Sequence, residues 1–413
     1  MLDKMLSFLR SARRLVRKPL SPRLFPVTGF QVIDKSHLIE EETWDWYKPE
    51  EFYNVRIGEV FNTKYQVVGK LGYGAYGTVW LCRDLVEHQH VTLKIGTCEA
   101  LESELAVLRH LKAIRTNHSG SLLVRQMLDE FQVTSEQGKF QCIVHPPLAI
   151  TLGSFRRMIP TKSLPVDLLR AVLQHLLSSL DFLHTEARVV HTDIQEKNIL
   201  LGMNDSTAES DLERFEQEEL VSPCPRKIDG DRVIYLSRPL VPRIYPYGRP
   251  VLCDFGEARF GDYNNMIDIQ PYQYRAPEVI LDMAWDEKVD IWNVGVMIWD
   301  LFENGNLFRT TGGPEEKQDN IYHLAHMVAL LGLPPKDFLA RSKTDRPWRW
   351  FDEDGNWKGE AEVPNTTLED AERQLEGEEK ALFLAFMRKM LKWRPEERIN
   401  AKELLDDPWL KSA

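Results

Sequence analysis

Hydrophobic positions change their period several times along the chain. From Tyr65 to Val68, and again from Thr78 to Arg83, the residues are β-branched, aromatic or alternating, which predicts two strands around the glycine-rich stretch 72–77. Val91, Leu93 and Ile95 recur at every second position and predict a third strand, with Lys94 set among them. Leu101, Leu105, Leu108 and Leu111 lie three or four apart, so residues 101–111 should form a helix with these leucines inward. Phe140 to Val144 returns to strand character, and Asp167 to Thr185 is a long amphipathic helix. Residues 25–60 read as an extended lead-in whose Trp44, Trp46 and Tyr47 pack rather than bind, closing on the run Val55 to Phe61. At the start, Leu2, Met5, Leu6 and Leu9 share one helical face until Pro19 stops the helix. A last helix ends at Pro408-Trp409-Leu410, and no internal repeat is evident.

Composition narrows the class. The chain has 413 residues, 43% hydrophobic and 10% aromatic, enough for one large two-lobed domain or two to three ordinary ones, with a sizeable core. Charged residues make up 28% and the net charge is -11, which argues against a general nucleic-acid binder and is compatible with a basic protein substrate. The five cysteines, Cys82, Cys98, Cys142, Cys224 and Cys253, are scattered with no C-x-x-C pair, as expected of a reducing compartment without structural zinc. No run of 18 apolar residues predicts a transmembrane helix.

Two segments differ from the rest. Residues 1–24 carry Lys4, Arg10, Arg13, Arg14, Arg17, Lys18 and Arg23 against the single acid Asp3, a composition that fits either a mitochondrial presequence or a basic tail. Cytoplasm or nucleus is the expected location, with the mitochondrion as the alternative. Residues 202–248 form an insertion. Its first part is acidic (Asp205, Glu209, Asp211, Glu213, Glu216, Glu218, Glu219) and reads as solvated surface; its second is broken by prolines and glycines around a strand-like Arg232 to Leu236.

The chemistry gathers in ordered motifs. Leu71-Gly72-Tyr73-Gly74-Ala75-Tyr76-Gly77-Thr78-Val79 is a G-x-G-x-x-G-x-V, in which glycines let a backbone approach phosphates closely. A dinucleotide-binding turn would need a helix after the glycines; the β-branched and aromatic Thr78 to Cys82 favours a hairpin. Lys94 reads either as a guard on an exposed strand edge or as a phosphate-holding group. Glu102 and Glu104 are both candidates to pair with it. Further on come His191-Thr192-Asp193-Ile194-Gln195-Glu196-Lys197-Asn198, then Asp254-Phe255-Gly256 and Ala276-Pro277-Glu278.

From about Phe61 onward this order of motifs resembles a eukaryotic protein kinase, and the variants within it are most similar to the SR-protein-kinase branch in its fungal form. The resemblance implies an α+β bilobal fold: a small antiparallel β-rich N-lobe with one main helix over 61–145, then a hinge and a larger, mostly helical C-lobe over 146–411, with insertions at 202–248 and about 306–376. It implies a monomeric serine/threonine kinase using ATP and Mg2+. Asp193 would accept the substrate hydroxyl proton, Asn198 and Asp254 would hold the metal, and Lys94 fixed by Glu104 would hold the nucleotide phosphates. Leu71, Gly72, Tyr73, Gly74, Ala75, Gly77 and Val79 would enclose the nucleotide, His145 would be the gatekeeper, and the Pro146 carbonyl and Leu148 amide would meet adenine. Asp290-Ile291-Trp292-Asn293-Val294-Gly295 would brace the catalytic loop, and Arg398 would pair with Glu278.

Three departures bear on function. Thr192 stands where many kinases carry an arginine that meets a phosphorylated activation loop, and residues 257–275 hold no Ser or Thr, only Tyr263, Tyr272 and Tyr274. Activity without activation-loop Ser/Thr phosphorylation is therefore expected. Gln195 replaces a lysine that steadies the transferred phosphate, which supports the alternative of a weak or inactive nucleotide-binding scaffold. Tyr322 and Ala329 stand where acids would grip an Arg-Ser-rich substrate; nearby Glu315, Glu316 and Asp319 read as a solvated acidic loop, with substitution for those acids as the alternative. A protein substrate is expected, Arg-Ser-rich chains being one class the resemblance allows, with docking of that type put in doubt by Tyr322 and Ala329. A small-molecule phosphotransferase is disfavoured by the intact Ala276-Pro277-Glu278.

Overall fold

The structure is a computed structural model describing residues 18–97, 101–242, 247–261, 268–313 and 317–412. The expected helix over the first residues, Glu315, Glu316 and Tyr263 thus lie outside the described residues. In chain order the first elements are β1 (Val32–Ile33), β2 (Val60–Phe61), β3 (Tyr65–Gly74), β4 (Gly77–Asp84), β5 (Gln89–Gly96) and α1 (Glu102–Ala113). Next come β6 (Asp129–Ser135), β7 (Gly138–His145), α2 (Leu152–Met158), α3 (Val166–Phe182), β8 (Val189–Val190), β9 (Ile199–Leu201) and α4 (Ala208–Val221). Then come β10 (Arg226–Asp229), β11 (Arg232–Tyr235), β12 (Pro250–Leu252), β13 (Arg259–Phe260), α5 (Lys288–Glu303), α6 (Asn320–Leu331) and α7 (Gly377–Met390).

The chain divides into two compact units. The first takes residues up to Leu105 together with 126–150 and 202–248; the second takes 106–125, 151–201 and 249–413. The insertion 202–248, grouped by chain order with the larger lobe, is a part of the first unit. The division also falls inside α1.

In the first unit, six strands pair in the order β2-β3-β4-β5-β7-β6, all antiparallel. Strand alternation sends Tyr65, Val67, Trp80, Cys82, Val91 and Leu93 into one core with Phe140 and Val144. Val68 and Leu81 point the other way, into a second cluster made by Leu212 and Phe215 of α4 and by Leu240. Both faces of β3 are therefore covered, and residues 65–70 are buried without a break. At Gly69 a side chain is excluded, since a Cβ would lie 2.9 Å from the Phe215 ring. A small sheet, β1-β10-β11, ties the lead-in to the insertion, with β1 and β10 parallel.

Of the acids of the insertion, Asp205, Glu209 and Glu213 are exposed as expected, but Asp211, Glu216 and Glu219 are buried. Glu216 is buried and meets Arg23 (3.1 Å), Arg83 (3.3 Å) and His90 (3.3 Å). Glu219 is buried against Arg238 (3.1 Å) and Arg226 (3.5 Å) and accepts from the Cys224 amide. Spacing of three residues puts both on the inner face of α4, where a buried carboxylate needs cationic partners.

The second unit is mainly helical around α5, whose residues Val289 to Phe302 are all buried. Trp292 stacks on Phe308 and supports the Arg398 guanidinium, 5.0 Å from its ring. No helix among the described residues is long and apolar enough to cross a membrane.

Candidate active site

In the first unit the glycine-rich stretch is the tip of the β3–β4 hairpin, closing on the pair Gly74–Gly77. No helix comes after it, which rules out the dinucleotide turn. Gly77 has φ +153° and a Cβ there would sit 2.3 Å from the Ile95 carbonyl, so only glycine fits. Gly72 and Gly74 face open space. Leu71, Tyr73, Ala75 and Val79 line the same two strands and turn, with Tyr73 exposed at the tip.

Lys94 lies on β5, paired with Val79 on one side and Ile143 on the other, so it is in the middle of the sheet rather than at an edge. Its Nζ meets Glu104 Oε2 at 2.6 Å. Glu104 is buried and Glu102 exposed, because α1 turns successive residues by about 100° and only one of the two can face the sheet. Thr92 sits opposite His145, and its buried hydroxyl has no hydrogen-bond partner among the described residues. His145 is itself buried, its Nδ1 2.8 Å from the Gln126 carbonyl. Pro146 and Leu148 come directly after β7, half-buried.

In the second unit the loop 191–198 is held from below by one carboxylate. Asp290, fully buried, accepts from the His191 amide (2.8 Å), the Thr192 amide (2.8 Å) and His184 Nε2 (2.9 Å). Asn293 Nδ2 donates to the Ile194 carbonyl (3.3 Å), and Gln270 Nε2 donates to Asn293 Oδ1 (2.6 Å). His191 Nε2 donates to the Cys253 carbonyl (3.1 Å), and its ring lies 5.2 Å from that of Phe255. Gln270 was not foreseen from the sequence, which carries no signal for a partner some twenty residues away.

The reactive groups stand on this frame. Asp193 is gripped by two neutral amides. Asn198 Nδ2 donates to Asp193 Oδ2 (2.7 Å) and to its carbonyl (2.8 Å), and Gln195 Nε2 donates to Oδ1. Burial pushes the Asp193 carboxyl above its ordinary range, offset by His191, Lys197 and Asn198. Asp254 is exposed, with left-handed φ of +64°, while Phe255 beside it is fully buried. Thr192 is also left-handed (φ +65°), and its hydroxyl donates to the Glu257 carbonyl at 2.7 Å. Asp254, itself a candidate metal group, and Thr192, next to Asp193, thus both hold this sparsely populated conformation, which fits a site whose geometry the surroundings enforce.

Nearby, Tyr274 donates its hydroxyl to Asp300, whose carboxyl burial pushes up to about 6. Arg398 and Glu278 form a two-armed pair, both arms 2.6 Å. Tyr322 packs its ring over Gly312 and Gly313, and Asp319 caps α6 through the Ile321 amide.

Taken separately, each unit fits a part of a nucleotide with its metal. In the first unit the glycine turn leaves room for phosphates and Lys94 is a fixed cation. In the second unit the exposed Asp254, and Asn198 beside Asp193, offer oxygen donors. Among the described residues no three or more His, Cys, Asp or Glu converge as a metal cage. Magnesium needs only one or two carboxylates plus substrate phosphates.

Comparison with known proteins agrees. The protein kinase domain family matches residues 65–213 and 245–410. A serine/threonine protein kinase of Aspergillus fumigatus is 45% identical over 98% of this chain and 99% of its own length. Serine/threonine-protein kinase SRPK of Physarum polycephalum is 29% identical, covering 90% of this chain and 91% of its own. SRSF protein kinase 3 of Mus musculus is 24% identical over 87% and 88%. The crystal structure of a kinase domain superposes with a TM-score of 0.66 at 22% identity, covering 87% of this chain and 99% of that one, which shows the bilobal α+β kinase fold. The chain belongs to the protein kinase family, as a serine/threonine kinase.

Proposed function

We propose that this kinase moves the γ-phosphoryl group of ATP, with Mg2+, to a serine or threonine of an Arg-Ser-rich protein, and that it needs no phosphate on residues 257–275. When bound, the metal ion and nucleotide supply the phosphoryl group and the charge that neutralises it. Asp193 orients the acceptor hydroxyl and takes its proton. Asn198 holds Asp193 in place and, with Asp254, presents oxygen to the metal. Lys94, fixed by Glu104, holds phosphate, and the amides of 72–77 provide further donors. The SR-type relatives support the substrate class.

The observation that carries the second claim is the Thr192 hydroxyl on the Glu257 carbonyl. It joins the catalytic loop to the residue after Asp254-Phe255-Gly256 without any charge. An arginine at 192 would bring a cation needing an anionic partner; threonine satisfies itself locally. A second reading, a nucleotide-binding scaffold with little turnover, draws support from Gln195, whose amide is spent on Asp193 and brings no charge to the transferred group.

Labelled-phosphate transfer from ATP and Mg2+ to an Arg-Ser-rich peptide and to a generic basic protein, with Asp193→Asn as control, separates the two. Transfer lost in the variant supports the kinase. Nucleotide binding without transfer supports the scaffold. Mass spectrometry of the active protein should find residues 257–275 unmodified; an obligatory phosphate there would overturn the second claim.

A further inference from the structure

The run Glu40-Glu41-Glu42, with Trp44 and Trp46 after it, is left without a role by the kinase chemistry, yet each of its acids is engaged. Glu40 accepts from the Ser237 amide (3.0 Å) and hydroxyl and lies 3.3 Å from Lys70 Nζ. Glu41, itself buried, also receives Lys70 Nζ. Glu42 receives Lys227 Nζ at 2.7 Å. Lys70 is the residue before Leu71 and Gly72, and only 1% of it is exposed. A buried ammonium holds its place only where carboxylates meet it.

The backbone at Lys70 is equally tied. The β3–β4 register slips between Lys70 and Gly72, a bulge at the threshold of the glycine turn. Such a bulge bends a strand and re-aims the residues beyond it. The carbonyl of Lys70 accepts instead from the Arg238 amide of the insertion (2.9 Å). One residue earlier, Phe215 of α4 presses on Gly69. Beyond the bulge, Tyr73 at the tip lies 5.8 Å from the Trp44 ring, which lies 4.5 Å from Trp46; the Lys70 ammonium is 5.3 Å from the Tyr73 ring centre.

We infer that residues 40–46 and the insertion residues Phe215, Ser237 and Arg238 form a brace that positions the phosphate-binding turn, with Glu41 acting through Lys70 and Trp44 acting through Tyr73. The brace rests on the ATP-dependent reading of that turn. Glu40, Glu41, Trp44, Phe215 and Arg238 are positioning residues, since they contact the turn's own strand or tip, and Glu42, Trp46 and Ser237 support them from behind. A turn held in one place loses less freedom when phosphates arrive, so the brace acts on nucleotide affinity. It has little to do once ATP is bound, and nothing to do with the protein substrate.

The test uses the full chain carrying Trp44→Ala, Trp44→Phe or, as a control outside the brace, Leu38→Ala. Leu38 is 67% exposed. ATP affinity is measured directly, alongside KM for ATP, KM for peptide, kcat and melting temperature. Loss of one aromatic pair should weaken ATP binding and raise its KM by about threefold to tenfold. Peptide KM and saturated kcat should stay within about twofold, and Trp44→Phe should restore most of the loss. An unchanged ATP affinity in Trp44→Ala, or a loss shared equally by peptide KM, overturns the brace. A wild type that binds ATP without transferring phosphate overturns only the catalytic reading, and its affinities still decide the brace. A wild type that binds no ATP overturns both.

Discussion

Arg398 and Glu278 meet through two parallel hydrogen bonds of 2.6 Å, with both side chains essentially without solvent exposure. The pair joins the Ala276-Pro277-Glu278 segment to residues near the end of the chain, and Arg398 also donates to the Lys288 carbonyl at the start of α5 (3.1 Å). Removing one charge leaves the other buried and unpaired, at a cost of about 3–5 kcal/mol. Glu278→Gln and Arg398→Met should each lower the melting temperature by on the order of 10 °C. The double variant Glu278→Leu, Arg398→Met should recover much of that loss, since no lone charge remains. Thermal melts of the three proteins check this; a double variant worse than the sum of the singles would refute it.

Gln195 Nε2 donates to Asp193 Oδ1, which commits its amide to that carboxylate. Gln195→Ala should lower kcat by about tenfold or more, the value of one hydrogen bond to a charged group, without moving KM for ATP. Gln195→Lys restores a cation near the transferred group, and should raise kcat above that of the alanine variant by at least the same order. Steady-state kinetics decides. Equal kcat for wild type and Gln195→Ala would show that Asn198 alone orients the base.

Asp300 gives the second unit a pH signature. Burial raises its carboxyl from 3.8 to about 6, partly countered by the Tyr274 hydroxyl. Between those values the folded protein holds a proton that the unfolded chain has released. Stability therefore falls as pH rises through this window, and returns as pH drops through about 6. Asp300→Asn keeps a neutral partner for Tyr274 and should flatten this slope. Urea midpoints at several pH values between the two will show it; an unchanged slope in the variant would assign the effect elsewhere.

The local elements and the order of the motifs were legible because they depend on neighbours in sequence. The β-branched run after Gly77 gave a hairpin and the leucine spacing gave α1; the residues left Glu102 and Glu104 both open, the family resemblance favoured Glu104, and the fold buries Glu104 against Lys94. The acids of the insertion were not legible as buried. Glu216 and Glu219 look like any charged helix until Arg23, Arg83, His90, Arg226 and Arg238 come from distant parts of the chain to meet them. Glu40 to Glu42 were hidden for the same reason, their lysines lying at 70 and 227.

The sequence by itself determined which chemical groups are present and in what order the motifs come, and through them the kinase family. Residue type and spacing suffice for that, since strand and helix periods are local. Only the tertiary structure decided who holds those groups. It gave Asp193 to Gln195 and Asn198, Thr192 to the Glu257 carbonyl, and the strand before the glycine turn to the lead-in and the insertion. Those assignments pair buried charges and backbone groups across long stretches of chain, and such pairings are set by the need to satisfy every buried polar group once the core has formed.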